Sequence, residues 1–298
     1  MSRTGVTLHI GAHKTATTYL QKLCLANAAT IAAEGCVFLG PERLRRDLLI
    51  PSLDRPARVL RRKTEALRRV LAQSRAQGQR ALLSNENMIG GPRPPIMACG
   101  AQLYPRAESH VAALLDALDL DDVTLCLALR DPLGLLVSAW GHQYLAGRPV
   151  AFDDFIAGVA PEALRWSELV MRLLSCERVA RVQLWQFESF HGKAPELIRL
   201  LADLPEDMAL QAPPAQPGWS YLVGPSARAL ASLPRVMRHN PELSAKDAMR
   251  RAMRRYPKSA AYPSPRPFSR VQMAASACRY NEDWTMLAAL PGVTCLQP

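Results

Sequence analysis

The sequence predicts an α/β protein of three layers, a central parallel sheet of about five strands between helices. Three observations lead there. Strand-like and helix-like segments alternate from Val6 to about Leu204. One segment, Val123–Leu129, is a continuous apolar run, as suits a strand buried on both faces of a parallel sheet. Polar clusters follow three of the strands directly, at Lys14, Glu86 and Arg130. In open α/β sheets ligands bind beyond the carboxyl ends of the strands, so these clusters are expected to converge on one site.

In order, Val6, Leu8 and Ile10 alternate as a strand, and Gly11 permits a sharp exit. A helix is expected over about Thr17–Glu34, then a strand at Cys36–Leu39. An arginine-rich helix over roughly Arg55–Gln77 follows, with Val59, Leu60, Leu67, Val70 and Leu71 at helical spacing. The third strand, Arg80–Ser84, runs into the loop Asn85-Glu86-Asn87 and Gly90-Gly91-Pro92. Residues 92–109 have several prolines and no period, and read as a loop or lid. Helix Val111–Leu118, strand Val123–Leu129 and a helix opening at Pro132 come next. Further helices are expected near 133–146, 152–158 and 161–176, a fifth strand at Val182–Phe187 and a helix at Ala194–Leu204. The last third is rich in proline around a basic helix, with a final helix near Tyr280–Leu290. The whole 1–298 reads as one domain, an α/β core at 1–204 under a helical and loop cover at 205–298.

With 298 residues, 49% of them hydrophobic, the chain can bury a large core. No apolar run approaches the roughly 20 residues of a membrane span, and no signal core opens the sequence. A soluble, cytoplasmic protein is expected. Seven cysteines without a Cys-x-x-Cys pair or a Cys/His cluster indicate neither a disulfide framework nor a metal site. The formal charge is +11, with 31 arginines and six lysines. Such a surface favours anionic ligands and substrates. The arginine runs at 43–46, 58–69 and 250–255 otherwise read as solvated helix faces. No helix-turn-helix, zinc-finger or RNP pattern points to nucleic acid.

The chemistry is concentrated in Gly11-Ala-His-Lys-Thr-Ala-Thr-Thr18, between a strand and a helix. A helix N-terminus offers unpaired N–H groups and a partial positive charge, and a lysine with hydroxyls there makes a phosphate site. A triphosphate-binding loop has four residues between its first glycine and Gly-Lys-Ser/Thr. Here two residues, Ala12 and His13, separate Gly11 from Lys14.

The stretch His9–Thr18 resembles the phosphosulfate-binding loop of the sulfotransferase superfamily, especially its bacterial members. The second motif is Arg130-Asp-Pro-Leu-Gly-Leu-Leu-Val-Ser138, an arginine ending a strand with a serine eight residues on. A guanidinium fork with a hydroxyl suits a terminal phosphate. A third, weaker similarity is the aromatic-acidic pair in Leu184-Trp-Gln-Phe-Glu188. The resemblance implies a P-loop-like fold and the donor 3′-phosphoadenosine-5′-phosphosulfate, used without a metal. It implies that Gly11, His13, Lys14, Thr15, Ala16, Thr17 and Thr18 surround the 5′-phosphate. Ala16 stands where the family usually has glycine. Arg130 and Ser138 would take the 3′-phosphate, Phe187 would lie near the adenine, and Lys14 would stabilise the leaving oxygen. The expected base is Glu86, with His142 and His13 as alternatives. The basic segment Lys258–Arg270 is a candidate to close over the 3′-phosphate. The expected acceptor is a hydroxyl or amine on an unidentified glycan, lipid, peptide or small molecule, read by loops such as 92–109 and 205–225, and the arginine clusters point to an anionic one. The rival readings are a P-loop nucleotide kinase and a nucleotide-binding relative without turnover.

Overall fold

A computed structural model describes residues 5–48, 56–190, 192–213 and 223–296. Six strands build the central sheet: Val6–Gly11 (β1), Cys36–Leu39 (β2), Arg80–Ser84 (β3), then, past a two-stranded hairpin of Ala98–Cys99 (β4) and Gln102–Leu103 (β5), Val123–Leu129 (β6), Val179–Gln186 (β7) and Val293–Cys295 (β8). Their order is β2-β3-β1-β6-β7-β8, and every pairing is parallel. The sheet thus has one strand more than expected. The addition is β8, which pairs Val293 with Val182 and Cys295 with Leu184.

Alternation sorts the sheet's side chains between two helical layers. Leu8 and Ile10 of β1, Leu83 of β3, and Leu125, Leu127 and Leu129 of β6 face one layer. It comprises Glu65–Ala76 (α5), Ala107–Leu118 (α6), Pro132–Leu145 (α7), Trp166–Leu174 (α9) and Arg270–Ala288 (α13). Leu82, Cys126, Ala128 and Trp185 face the other. There lie Thr17–Ala26 (α1), Ala28–Ala33 (α2) and Ala194–Ala202 (α10). Every residue of β6 except Thr124 is buried, because it has strands on both sides and helices on both faces.

Two helices expected to be continuous are broken, each by a short polar side chain that competes for backbone groups. Asn27 separates α1 from α2; its amide donates to Leu23 O (2.8 Å) and to Gln211 O (2.9 Å). Thr64 separates Ala57–Lys63 (α4) from α5, with its hydroxyl 3.0 Å from Leu60 O and 2.9 Å from Ala117 O. The expected start of that helix, Arg55, lies outside the described residues. Pro41–Leu48 (α3) precedes this pair. The fifth strand ends at Gln186, so Phe187 opens a 3-10 turn, Phe187–Ser189. Phe152–Phe155 (α8) is shorter than expected, and 161–176 divides into a 3-10 turn and α9.

The stretch 92–109 is not a lid. Met97, Ala98, Leu103, Tyr104 and Ala107 are fully buried in the main core. The basic helix is a pair, Ala227–His239 (α11) and Ala245–Arg255 (α12), with a small core of its own around Leu230, Leu233 and Met249, packed on Trp140 and Tyr144 of α7. The final helix starts ten residues earlier than expected, at a capping box of Ser269 and Gln272. No helix among the described residues is long and apolar enough to cross a membrane.

Candidate functional site

The chain leaves β1 towards β2 and leaves β6 towards β7, on the other side. The gap between β1 and β6 is therefore the switch point of the sheet, where a crevice opens beyond the strand ends. The Lys14 loop follows β1 and Arg130 follows β6, so the two stand at this crevice. They are joined: Arg130 Nη1 donates to Lys14 O at 2.7 Å.

The loop's backbone explains its composition. Gly11 has φ +118, and a Cβ there would lie 3.2 Å from Cβ of Glu86. The absence of a side chain lets the turn press against the end of β3. Thr15 is fully buried, and its hydroxyl donates to Ala12 O (2.6 Å), closing the loop on itself. What Thr15 can offer a ligand is thus its N–H. Lys14 and Ala16 both have φ +63, in the left-handed region that glycine favours. Ala16 is the N-cap of α1, has no side-chain cap, and is followed by a first turn without a carboxylate. The helix start therefore keeps amides for an oxyanion, beside Thr17 and the exposed Thr18.

Three polar chains surround the loop. Its underside rests on His13. The His13 N–H donates to the Tyr104 hydroxyl (3.1 Å), which is also 3.1 Å from His13 Nδ1, and His13 Nε2 is 3.2 Å from Asn87 Oδ1. Backbone donors fix the protons. The Asn87 N–H donates to Asn85 Oδ1, so that oxygen is an acceptor and also takes Asn87 Nδ2–H. Asn87 Oδ1 then accepts from His13 Nε2–H, and Nδ1 accepts from the Tyr104 O–H. His13 is neutral, in keeping with the burial that pushes it below its ordinary value, and both ring nitrogens are occupied. These bonds make it a strut of the loop.

On the β3 side, Glu86 Oε2 accepts from Gln21 Nε2 of α1 at 2.9 Å. Burial pushes this carboxyl up, but the adjoining His13 imidazole first, then the Gln21 amide, its own backbone and Arg45, leave it below its ordinary value. His142, half-buried on α7, is pushed down to about 4 by burial, then by Lys14, His13 and Arg148, so it stands within electrostatic reach of the loop as a neutral imidazole. The Lys14 ammonium is pushed down to about 8, first by burial, then by Arg130.

On the β6 side, the Arg130 guanidinium lies 4.6 Å over the Phe187 ring. Its backbone is braced from beneath: Trp166 Nε1 donates to Arg130 O (2.8 Å), and the Asp131 N–H donates to Glu188 Oε1 (3.1 Å). Asp131 caps α7 through Gly134 N (2.8 Å) and accepts from Ser276 Oγ (2.6 Å). Tyr280 OH donates to Glu188 Oε2 (3.2 Å), and Asp283 accepts from Trp166 N (2.6 Å). Beside the apolar Leu287, the buried positions of α13 are thus a row of polar side chains, Ser276, Tyr280 and Asp283, that hold the turns around the ends of β6 and β7.

A cavity of about 580 Å³ opens on this side, walled by Arg130, Ser138 and Phe187 together with Lys258, Arg266 and Arg270. Its size is that of a small-molecule site, typically about 300–1,000 Å³. Lys258, Arg266 and Arg270 of the basic segment thus share a cavity lining with Arg130 and Ser138. Lys14 and its loop, Glu86 and His142 are not among these walls. Missed by the sequence reading were Gln21, Asn87, Tyr104 and Trp166. Of these only Asn87 had a signal, as an Asx residue two positions after Asn85.

The fold and this cleft define the class: a parallel α/β protein with a tight anion-suited loop at its switch point and an arginine facing it. Compared with protein-family models, curated proteins and solved structures, the chain gives no match.

Proposed function

We propose that the protein is a sulfotransferase, moving a sulfuryl group from 3′-phosphoadenosine-5′-phosphosulfate to a hydroxyl or amine. The carrying observation is the direct bond from Arg130 Nη1 to Lys14 O, which sets two anion-suited groups side by side at the switch point. The residues present fit the donor. The loop amides and the Lys14 ammonium suit one phosphate, Arg130 and Ser138 a second, and the Phe187 ring flanks a cavity of nucleotide size.

When bound, the donor supplies an activated sulfuryl group. The amides at the start of α1 would hold its phosphate, and Lys14 Nζ, charged at neutral pH, would stabilise the negative charge that grows on the leaving oxygen. Arg130 and Ser138 Oγ would hold the far phosphate and so limit the donor's freedom in the cleft. Glu86, ionised and aimed by Gln21, takes the acceptor's proton at a carboxylate oxygen. His142 is the alternative base, since its imidazole is neutral. Seven unpaired cysteines support a reducing, cytoplasmic setting.

Adenosine 3′,5′-bisphosphate is expected to raise the melting temperature, because it binds only the folded form. Arg130→Ala is expected to reduce that rise far more than the rise given by adenosine 5′-phosphate. An equal rise with ATP and Mg²⁺ would favour the nucleotide-kinase reading. Transfer of labelled sulfate to a cell extract tests turnover, and binding without transfer would favour a nucleotide-binding relative.

A further inference from the structure

Residues 223–270 carry eleven Lys and Arg against two carboxylates, Glu242 and Asp247, and so hold nine of the chain's formal net charge of +11. All eleven are exposed. Among the described residues one of them, Arg250, has a carboxylate partner, Asp247 at 3.0 Å. Arg228 and Arg255 lie over the Tyr256 ring instead. The apolar faces of α11 and α12 are used up against each other and against Trp140 and Tyr144, so the hairpin is anchored and turns its cations outward. The chain after α12 then brings Lys258, Arg266 and Arg270 into the wall of the cavity beside Arg130. The basic face therefore adjoins the mouth of the cleft.

We propose that this face docks an acidic polysaccharide, a chain of carboxylate or sulfate groups whose own hydroxyl enters the cleft as acceptor. The docking rests on the charge alone; that the docked chain is an acceptor rests on the sulfotransferase reading. Nine of the eleven cations are arginines, whose planar forks pair with carboxylate and sulfate in two-point contacts. Single-stranded nucleic acid needs exposed rings for base stacking, and the large exposed apolar residues among those described include no aromatic. A helix lying in a bilayer surface needs a row of Trp, Phe or Leu, whereas α11 and α12 expose Met237 alone of the large apolar side chains. A polysaccharide needs neither, and each of its units carries an anion and a hydroxyl.

The test is anisotropy of end-labelled polygalacturonate and dextran sulfate at two salt concentrations, without nucleotide. At least one is expected to bind, with affinity falling steeply with salt as counterions are released. Arg238→Glu/Arg251→Glu/Arg254→Glu is expected to weaken binding by about tenfold or more, and the same triple to Gln by a smaller factor. The control Arg62→Glu/Lys63→Glu/Arg75→Glu, on α4 and α5, is expected to stay within about twofold. Melting temperatures near wild type show that the variants fold; should the Glu triple not fold, the Gln triple decides. Equal weakening by both triples, or equal or tighter binding of polyglutamate, duplex DNA or anionic vesicles, overturns the proposal. Loss of the bisphosphate-induced melting shift with polymer binding intact would count against the sulfotransferase reading and leave the docking surface standing.

Discussion

The hydroxyl of Tyr104 lies 3.1 Å from both the backbone nitrogen and Nδ1 of His13, ninety-one residues earlier in the chain. It accepts from one and donates to the other. Its own backbone is held by Met97 O on its N–H and Arg172 Nη1 on its carbonyl. Tyr104→Phe keeps the ring beside Trp166 but leaves a buried N–H and an imidazole nitrogen unpaired. The expected loss is about 1–3 kcal/mol in urea unfolding, with a smaller melting shift from adenosine 3′,5′-bisphosphate. Wild-type values for both would show that the hydroxyl does not hold the loop.

Ala16 at φ +63 pays the cost of a Cβ in the left-handed region. Ala16→Gly is expected to stabilise the protein by a few tenths to about 1 kcal/mol. Ala72→Gly, in the exposed middle of α5, should cost about 1 kcal/mol, as glycine does in an ordinary helix. Denaturation midpoints of the two variants moving in the same direction would refute the strain.

Lys14 has a folded-state value near 8, against 10.5 for the free side chain. The unfolded chain holds this proton more tightly, so the group destabilises the fold fully below pH 8, and the penalty fades as pH rises from 8 to 10.5. Lys14→Met is expected to stabilise the unliganded protein by on the order of 2–3 kcal/mol at pH 7, and hardly at all near pH 11. It should at the same time abolish the bisphosphate-induced shift. Urea titrations across this range, wild type against variant, measure the difference.

His9 works in the acid range. Burial pushes it down to about 4, its Nδ1 is 2.8 Å from Ser84 Oγ, and its ring lies against Trp185. The unfolded state takes the proton from about pH 6.5 downwards and the folded state waits until about 4. Stability from this group is whole above 6.5 and is lost as pH falls towards 4. His9→Gln should flatten the stability–pH curve in that window, and an unchanged slope would assign the acid lability to His142 and His13.

Glu86→Gln is expected to keep the bisphosphate-induced shift and lose sulfuryl transfer. An active Glu86→Gln beside an inactive His142→Ala would make His142 the base.

What the sequence made legible was local. The alternation of β1, the apolar run of β6 and the residues just past each strand are short-range signals, and they located Lys14, Glu86 and Arg130 correctly at one edge of the sheet. What it hid depends on partners far along the chain. The tyrosine under His13 comes from a stretch with no period, because its buried residues, Met97, Ala98, Leu103, Tyr104 and Ala107, sit at irregular spacing on and around a short hairpin. The length of α13 was hidden because three of its four buried positions, Ser276, Tyr280 and Asp283, are polar and Leu287 alone makes no hydrophobic stripe. The strand β8 has three residues and lies at an edge, too short for a pattern. Asn27 and Thr64 read as ordinary helix residues until their side chains meet Gln211 and Ala117.

The polar row on α13 has a consequence for the order of assembly. Arg130 is synthesised well before the residues that brace its turn, Ser276, Tyr280 and Asp283. The nascent chain can form β1, β3 and β6 while the cleft between them is still unbraced. The turn after β6 is therefore braced only once α13, about 140 residues further along the chain, has docked.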